Sequence, residues 1–259
     1  MDTAAQLYLL DVADGVATVT LNRPAAMNSL STQLRSELML LFPQLDLRDD
    51  VRVIVFTGAG DKAFCTGADL KERAARSTET MVHDRLTIQA KWTTVLSSLR
   101  KPVIAAINGY CMGGGFELVL QCDISIASDR AIFSLPEVTH GFFPGGGAAQ
   151  RLPRLIGIQK AKELILTGRR WDAHEAAELG LVNKVVPHEQ LMEEAMALAK
   201  RIAANPLVAV IQAKSAINQS QETGLTAGLR FDNEAWVGCL HSNEWKEKLG
   251  GFVRKERKS

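Results

Sequence analysis

The chain has 259 residues, of which 46% are hydrophobic and 23% charged, and its formal net charge is +1. These values are typical of a globular protein with one large domain or a core domain and a smaller appendage, and the near-neutral charge provides no overall attraction to nucleic acids or anionic membranes. Because no stretch reaches the ~20 uncharged apolar residues that span a bilayer, and the N-terminus lacks the pattern of a signal peptide, we expect a cytoplasmic protein without membrane or nucleic-acid partners.

The first part of the sequence predicts strands that alternate with helices. Two strand-like runs flank Asp14-Gly15, a dipeptide typical of tight hairpins. A helix is predicted from about Thr32 to Leu45, and Pro43 within this pattern should end or kink it early. Further strands are predicted in VRVIVF, KPVIAAI, DISIAS and AIFSL, with helices at 69–76, about 80–99 and 114–121. This alternation predicts a mostly parallel α/β core.

From about Gln159 onward, helical patterns dominate. The predicted helical segments are QKAKELILTG, DAHEAAELG, EQLMEEAMALAKRIAAN, VAVIQAKSAINQ and a last stretch from about Leu225 to Lys255. No segment has the composition of a flexible linker, so the two parts should be continuous. We predict an α/β core over residues 1–200 and a helical C-terminal region over residues 201–259.

Cysteines and histidines show no pattern of a disulfide framework or a metal site. The four cysteines are Cys65, Cys111, Cys122 and Cys239, and none of them forms a CxxC pair. The five histidines form no HxxxH or HExxH motif. We therefore expect a reduced protein without a metal ion.

The turn in TGAGDKAFCTGADLKER is the first candidate for chemistry. It is rich in glycine but lacks GxxxxGK[ST], so a phosphate-binding loop of that type is not predicted. Asp69 and Glu72 have the spacing of a helix N-cap and its capping-box acid, which places Ala68 just before the helix, where backbone N–H groups lack partners. The same residues also fit a simple strand-to-helix connection with a good cap.

The second candidate is CMGGGFELVLQCD, residues 111–123. Side chains on a helix tilt toward its N-terminus, so Glu117 should lean over the turn that contains Gly114. A glycine there lets the backbone approach a ligand, and the free N–H groups of a helix N-terminus attract partial negative charge. The alternative is close helix–strand packing with Glu117 as a solvated or capping acid.

Glu137 is the third candidate. It follows Pro136 after a short strand, a position typical of a rigid loop that presents a carboxylate at the end of a sheet. Alone, it also fits an ordinary surface glutamate. Together with Glu117 in one partly apolar cleft, it would have a different pKa from its neighbour, and the pair could provide an acid and a base at neutral pH.

Several segments together resemble the enoyl-CoA hydratase/isomerase (crotonase) family. They are FCTGADLKE, INGYCMGGGFELVLQCDISIAS, LPEVTHGFFPGGGAAQRLPRLIG, AAELGLVNKVVP and FVRKERK, within a match that runs from about Leu21 to Lys258. The resemblance implies a spiral of ββα units with a helical C-terminal part, assembled as homotrimers or dimers of trimers. It also implies an acyl-CoA thioester substrate and no metal or redox cofactor, since coenzyme A is part of the substrate.

The resemblance assigns roles to four residues. Ala68 and Gly114 match the residues whose backbone N–H groups form the family's oxyanion hole for the thioester oxygen. Glu117 matches the glutamate that positions and activates water, and Glu137 matches the one that exchanges a proton at the α-carbon. The implied reaction is the reversible syn-addition of water to a 2-enoyl-CoA, which gives a 3-hydroxyacyl-CoA.

A further set of residues is implied to bind coenzyme A. In the family, backbone near the NRP turn and the GADL loop does so, and a C-terminal F-x-x-K segment often caps the nucleotide from a neighbouring subunit. The matching residues are Arg23, Ala25, Ala26, Thr66, Asp69, Leu70, Phe252 and Lys255. The C-terminal segment also fits a solvated basic helix end.

Three residues depart from the family's pattern. His140 could tune Glu137 or be a half-buried structural histidine. Phe142 and Phe143 could narrow the acyl pocket or be core aromatics. No histidine motif accompanies the cysteines in the two candidate turns, so we do not predict covalent catalysis.

Other functions stay open from the sequence alone. The same scaffold could hydrate methylglutaconyl-CoA, move a double bond, decarboxylate or hydrolyse a thioester, but two glutamates favour hydration because the isomerases typically use one at a different position. A non-catalytic RNA- or acyl-CoA-binding protein is the second alternative. For RNA, the segment TMVHDRLTIQAKWTTVLSSLR has few cations, partly offset by acids, which is a poor electrostatic footprint.

Overall fold

The computed structural model describes residues 6–256, with side chains described through residue 249. Within these residues the strands are β1 (Tyr8–Ala13), β2 (Val16–Leu21), β3 (Val53–Gly58), β4 (Ala63–Cys65), β5 (Val103–Ile107), β6 (Tyr110–Met112), β7 (Ile124–Ser128), β8 (Ile132–Ser134), β9 (Arg170–Asp172) and β10 (Lys184–Val186). The helices are α1 (Thr32–Leu47), α2 (Leu70–Ala74), α3 (Thr78–Thr87), α4 (Gln89–Trp92), α5 (Gly114–Val119), α6 (Ala148–Ile156), α7 (Ile158–Thr167), α8 (Ala173–Glu178), α9 (Leu191–Ala203), α10 (Leu207–Gln219), α11 (Leu225–Leu240) and α12 (Asn243–Glu256). Short 3₁₀ turns cover Pro24–Ala26, Pro136–His140 and His188–Gln190.

The strands form two sheets. The first has the order β1-β2-β3-β5-β7-β10 and the second the order β4-β6-β8-β9. The hairpin of β1 and β2 is antiparallel, and the predicted turn at Asp14-Gly15 is confirmed, since both residues have the positive φ, 53° and 78°, that a type I′ turn requires. The first sheet is parallel from β2 to β10, as predicted.

The chain passes between the two sheets in a repeated order. A strand of the first sheet is followed by a strand of the second and then by helix, in β3-β4-α2, β5-β6-α5 and β7-β8-α6. Each repeat adds one strand to each sheet, so the chain advances as a spiral of ββα units. This confirms the predicted α/β fold class.

The alternating side chains of β3 show how the core is divided. Ile54 and Phe56 belong to the main core, which includes α1, whereas Val53 and Val55 belong to a smaller core under α9. The α9 residues of the smaller core are Leu191, Ala195 and Ala199. Because both faces of the strand are covered, its sequence is a continuous apolar run rather than an alternating one.

Two predicted helix boundaries are wrong. Helix α1 does not end early at Pro43 but continues to Leu47, while the kink predicted as the alternative stays a prediction. Phe42 and Leu45, on either side of the proline, are buried in the core, and this packing outweighs the local cost of the missing N–H group. The predicted helix over 80–99 is divided into α3 and α4.

Helix α2 has the predicted N-cap but not the predicted capping box. The Asp69 carboxylate accepts a hydrogen bond from the Glu72 N–H at 3.3 Å, which confirms the cap. The Glu72 carboxylate, however, accepts from the N–H of Thr32 at 3.0 Å instead of from the cap residue. Tertiary contact between α1 and α2 therefore replaces the local partner.

The C-terminal helices contact the core through few buried side chains. Lys214 of α10 is buried and donates to the Asp123 carboxylate at 2.7 Å and to the Lys101 carbonyl at 3.0 Å. The predicted stretch from Leu225 is divided into α11 and α12, and α9 spans residue 200, so the domain boundary stays a prediction. None of the helices in residues 6–256 is long and apolar enough to cross a membrane.

Candidate active site

Two glycine-rich turns meet because the strands that lead into them are parallel neighbours. In the pairing of β4 with β6, Cys65 lies beside Cys111. A Cβ atom built on Gly115 would lie 2.2 Å from the Cys65 carbonyl oxygen, so only glycine permits this approach. A Cβ atom built on Gly114 would lie 3.9 Å from the Ala68 nitrogen, which places the two predicted backbone donors close together.

The N–H group of Ala68 is free because of a bridge to Leu30. Leu30 donates its N–H to the Gly67 carbonyl at 2.8 Å and accepts from the Asp69 N–H at 3.2 Å. Successive amides of an extended chain point to opposite sides, so the Ala68 N–H lies on the side away from Leu30. It donates to no acceptor within the described part of the chain.

The N–H group of Gly114 is free because it begins a helix. The first N–H groups of a helix have no partner within it, and the Gly114 N–H donates to no acceptor among residues 6–256. The preceding residue, Gly113, has φ of +51°, which turns the chain from β6 into α5 and favours glycine. The two turns therefore present two neighbouring N–H groups that a partially negative oxygen could accept from.

Glu117 is buried in α5 and held by the backbone of a distant loop. Its side chain is 6% exposed, and its Oε1 accepts from the N–H groups of Gly146 at 2.6 Å and Ala148 at 3.1 Å. Burial raises the pKa of Glu117, while these two donors and the arginines Arg85 and Arg151 lower it. The carboxylate is thus fixed in orientation by charge-favouring donors.

The loop that holds Glu117 had no predicted role. A Cβ atom built on Gly146 would lie 2.2 Å from Glu117 Oε2, so any other residue here would displace the carboxylate from its present position. The signal was available in the sequence as a second run of three glycines, residues 145–147, just before α6. Like the run at 113–115, it allows the backbone to approach a functional group closely.

Glu137 reaches the same place from the 3₁₀ turn that follows β8. Its Oε1 lies 3.0 Å from the position that a Cβ atom on Gly113 would occupy. Burial raises the pKa of Glu137 to about 7, with a further contribution from Glu117 and an opposing one from Arg73. Glu137 Oε2 is buried and has no hydrogen-bond partner in the described residues. This carboxyl group can therefore gain or lose a proton near neutral pH.

These groups line one cavity of about 770 Å³, a volume suited to a small-molecule ligand. Ala68, Gly114, Glu117 and Glu137 all contribute to its lining. Its apolar side chains include Leu30, Leu70, Met81, Val82 and Trp92. The structure thus brings together all four residues that the sequence singled out for chemistry.

The chain is similar to known proteins in both sequence and structure. The sequence model described as Enoyl-CoA hydratase/isomerase matches residues 11–259. The chain belongs to the enoyl-CoA hydratase/isomerase family. The protein YngF of Bacillus subtilis, whose name places it in this family, is 45% identical over 242 residues, which cover 93% of each chain.

Two further members of the enoyl-CoA hydratase/isomerase family are similar over almost their full length. The short-chain-enoyl-CoA hydratase of Clostridium acetobutylicum is 39% identical over 251 residues, which cover 96% of this chain and 95% of that protein. The crystal structure of an enoyl-CoA hydratase from Bacillus anthracis is 45% identical with a TM-score of 0.92, and the match covers 96% of this chain and 97% of that one. The predicted crotonase-type fold is confirmed.

Some of the residues that the family resemblance implies for coenzyme A lie at the cavity. Thr66, Asp69 and Leu70 line it. Arg23 is joined to this edge, because its guanidinium donates to the Asp69 carboxylate at 2.8 Å and lowers the pKa of Asp69. The Thr66 hydroxyl donates to the Met27 carbonyl at 3.2 Å and so links the loop to the chain around the NRP turn.

The structure places the other implied coenzyme A residues less fully. Ala25 and Ala26 form the 3₁₀ turn after Arg23, with Ala25 exposed and Ala26 half-buried. Phe252 and Lys255 belong to α12, but their side chains lie outside the described residues. The roles of all four stay predictions.

The residues that depart from the family's pattern line the cavity. His140 is exposed, so its interpretation as a half-buried structural histidine is wrong. Phe142 and Phe143 are 52% and 62% exposed, so their interpretation as core aromatics is wrong too. The segment after the 3₁₀ turn runs along the cavity instead of entering the core. The Arg73 guanidinium lies 5.0 Å from the centre of the Phe142 ring.

The cysteines of the two turns are poorly suited to act as nucleophiles. Cys65 and Cys111 are fully buried. Burial raises the pKa of Cys65 to about 12 and that of Cys111 well above its ordinary value. Since the thiolate is the reactive form, neither thiol is activated at neutral pH. The finding concerns these two thiols, and the expectation of non-covalent catalysis stays a prediction.

Proposed function

We propose that this protein is an enoyl-CoA hydratase, which adds water reversibly to a 2-enoyl-CoA thioester and forms a 3-hydroxyacyl-CoA. The observation that carries the proposal is one cavity in which two free backbone N–H groups, of Ala68 and Gly114, accompany two carboxylates of different environment, Glu117 and Glu137. The names of the similar proteins from Clostridium acetobutylicum and Bacillus anthracis support the same reaction.

The proposed reaction moves two protons and forms one C–O bond. Glu117 takes a proton from water as the water oxygen bonds to the β-carbon, and the π electrons move toward the thioester oxygen. The N–H groups of Ala68 and Gly114 stabilise the resulting enolate, by ~3–4 kcal/mol per donor as in other oxyanion holes. Glu137 then gives its proton to the α-carbon. Return of one proton from Glu117 to Glu137 restores the pair.

The contacts of the two glutamates support this division of roles. Glu117 accepts two backbone N–H donors, which favour its ionised form and fix the position from which it can orient water. Glu137 has a pKa of about 7, which suits a group that must donate a proton at neutral pH. The reaction involves no net oxidation or reduction, and the proposal includes no metal or redox cofactor.

The proposal extends to coenzyme A, assembly and location. Coenzyme A would bind along the edge formed by Arg23, Asp69 and Leu70, next to Ala25, Ala26 and Thr66. We also propose homotrimers or dimers of trimers in the cytoplasm. On α11, Trp236 is 64% and Leu229 53% exposed, an apolar area that a second copy of the chain would cover.

The test is turnover of crotonyl-CoA by the purified protein in water enriched in ¹⁸O. We expect 3-hydroxybutyryl-CoA that carries one labelled oxygen, measured by mass spectrometry. The variant with both Glu117→Gln and Glu137→Gln, purified in the same way, controls for a contaminating hydratase.

The rival functions give other outcomes in parallel assays with the thioesters on which each of them acts. An isomerase moves the double bond of a 3-enoyl-CoA, a thioester hydrolase releases the free thiol of coenzyme A, and a decarboxylase releases carbon dioxide. A non-catalytic binding protein retains acyl-CoA without converting it. Any of these in place of labelled product, across short, long and branched enoyl-CoAs, would contradict the proposed function.

A further inference from the structure

Arg151 of α6 contacts the glycine loop, residues 145–148, but lies outside the cavity lining. A Cβ atom built on Gly147 would overlap with Arg151 Nη1, so the guanidinium packs directly against this glycine. Gly147 has φ of +115°, a conformation that favours glycine. It stands between the two residues whose N–H groups donate to the Glu117 carboxylate. Arg151 therefore contacts the loop at the point that orients Glu117.

The same guanidinium also binds the chain that follows the start of α4. Arg151 Nη2 donates to the Thr93 carbonyl at 2.8 Å and to the Ser97 hydroxyl at 3.2 Å. These partners lie 58 and 54 positions before Arg151 in the sequence. A guanidinium suits this position because its donors form a rigid planar fork. We call the chain from residue 92 to residue 97 the brace.

The brace is also bound to the end of α5, the helix that carries Glu117. Gln121, four residues after Glu117, donates from its side-chain amide to the Trp92 carbonyl at 3.3 Å and accepts from the Leu96 N–H at 3.2 Å. Gln121 is buried, so water does not compete for these bonds. The brace therefore connects the helix that carries the carboxylate with the loop that orients it.

Arg151 also brings a positive charge to the surroundings of Glu117. Burial lowers the pKa of Arg151 and raises that of Glu117, while the attraction between the two charges acts in the opposite direction on both. Arg85 of α3, which lines the cavity, lowers the pKa of Glu117 as well. The charge of Glu117 helps to raise the pKa of Glu137 in the 3₁₀ turn, and Arg73 is the cation that lowers it. The two glutamates thus respond to different arginines.

We propose that Arg151 is a positioning residue for hydration, which fixes the glycine loop to the brace and stabilises the ionised form of Glu117 from outside the cavity. Without this guanidinium, the loop loses its contact with the brace. Glu117 also loses a positive charge in a buried place, where charges interact strongly. The inference deepens the proposed hydratase function and rests on it.

The pH dependence of kcat/KM for crotonyl-CoA tests this role. Hydration requires ionised Glu117, so the decrease at low pH, the acid limb, follows the pKa of Glu117, and the decrease at high pH, the alkaline limb, follows that of Glu137. A nearby opposite charge lowers a carboxyl pKa by roughly 1–3 units, so Arg151→Gln should move the acid limb to higher pH by about one unit or more. The alkaline limb should stay near pH 7.

Two further variants separate the effects of charge and geometry. Arg151→Lys keeps the charge but loses the planar fork, so it should keep the wild-type acid limb and lower kcat by roughly 2–10-fold, the effect of one lost hydrogen bond. Arg154→Gln removes an exposed arginine of the same helix and is the matched control, with both limbs unchanged. Because Arg151 lies outside the cavity lining, the Kd of butyryl-CoA, a saturated analogue of the substrate, should be the same in all variants.

A second variant keeps the inference testable if Arg151→Gln does not fold. Ser97→Asp places a carboxylate beside Arg151 Nη2, so the guanidinium remains but its charge is balanced by a new partner. The acid limb should then move to higher pH, as in Arg151→Gln. Ser98→Asp adds the same charge at the neighbouring exposed position and is the control.

Movement of the acid limb alone, in Arg151→Gln and Ser97→Asp but not in the two controls, would support the inference. An acid limb that stays at the wild-type pH in both variants would overturn it while hydration itself stands. Equal movement of both limbs, the same movement in Arg151→Lys, or weaker binding of butyryl-CoA would overturn it too. Failure of the wild type to hydrate crotonyl-CoA would instead contradict the proposed function, and this inference with it.

Discussion

Helix α5 and the 3₁₀ turn Pro136–His140 each bring one glutamate to the same cavity, but they surround it differently. Glu117 in α5 is buried and accepts hydrogen bonds from two backbone N–H groups. Glu137 in the turn has one buried carboxylate oxygen without a partner in the described residues. Burial raises the pKa of both groups, but only Glu117 has donors from a distant loop that favour its ionised form.

In the proposed mechanism, this difference in surroundings makes one glutamate the base and the other the acid, although the side chains are the same. Two N–H groups of the glycine loop hold Glu117 as an oriented acceptor, whereas burial raises the pKa of Glu137 to about 7. The two free N–H groups of Ala68 and Gly114 complete the arrangement for an oxyanion. Four measurements test this difference between the two glutamates.

The largest expected effect comes from removing either carboxylate. Glu117→Gln and Glu137→Gln keep the side-chain volume but cannot exchange a proton, so each should lower kcat for crotonyl-CoA hydration by ~10²–10⁴. Steady-state kinetics measures the effect, and circular dichroism checks that each variant is folded. Wild-type hydration by either variant would contradict the use of two carboxylates.

The next effect concerns the oxyanion hole. Gly114→Pro removes the N–H at the first position of α5, where proline fits a helix, and should lower kcat by ~10²–10³. Gly114→Ala is the matched control, because its Cβ would have only ordinary contacts, the nearest at 3.5 Å, and its N–H is kept. Equal activity of the two variants, or equal loss, would remove Gly114 from the oxyanion hole.

A smaller effect is expected in the pH profile. Hydration and its reverse both need one proton on the pair of glutamates, so kcat/KM should fall about tenfold per pH unit above the pKa of Glu137, which is about 7. It should also fall at low pH, where Glu117 becomes protonated. Because the reaction consumes no proton, both directions must show the same profile. A flat profile from pH 6 to 9 would contradict the role of Glu137.

The smallest effect concerns stability. The folded-state pKa of Glu137, about 7, is above the ordinary value of 4.5, so the folded protein binds this proton more tightly than the unfolded chain does. The contribution of Glu137 to the free energy of unfolding is therefore greatest below pH 4.5 and decreases as the pH rises to 7. Glu137→Gln should gain about 1–2 kcal/mol more over the wild type at pH 8 than at pH 5, after allowance for solvent screening.

Urea unfolding at the two pH values measures this difference. Asp61→Asn, which removes an exposed carboxylate, controls for the general loss of one negative charge. A gain for Glu137→Gln that is the same at both pH values, or larger at pH 5, would show that the fold does not raise the pKa of Glu137.

Much of this protein is determined by local sequence. Asp14-Gly15 specifies a hairpin because the turn needs two positive φ values, and Asp69 caps α2 because its side chain reaches an N–H three residues on. Runs of apolar residues predict the strands, and the glycine turns with Glu117 and Glu137 carry the family resemblance. Each of these signals depends on residues close together in the chain.

The tertiary structure alone decided how those residues interact. Glu117 accepts a hydrogen bond from Gly146, which is 29 positions away in the sequence. Core packing also allows α1 to continue through Pro43 to Leu47. The tertiary structure also brought Arg85 to the glycine loop that holds Glu117. Burial and pKa depend on the atoms that surround a group, and in this spiral fold those atoms come from distant turns of the chain.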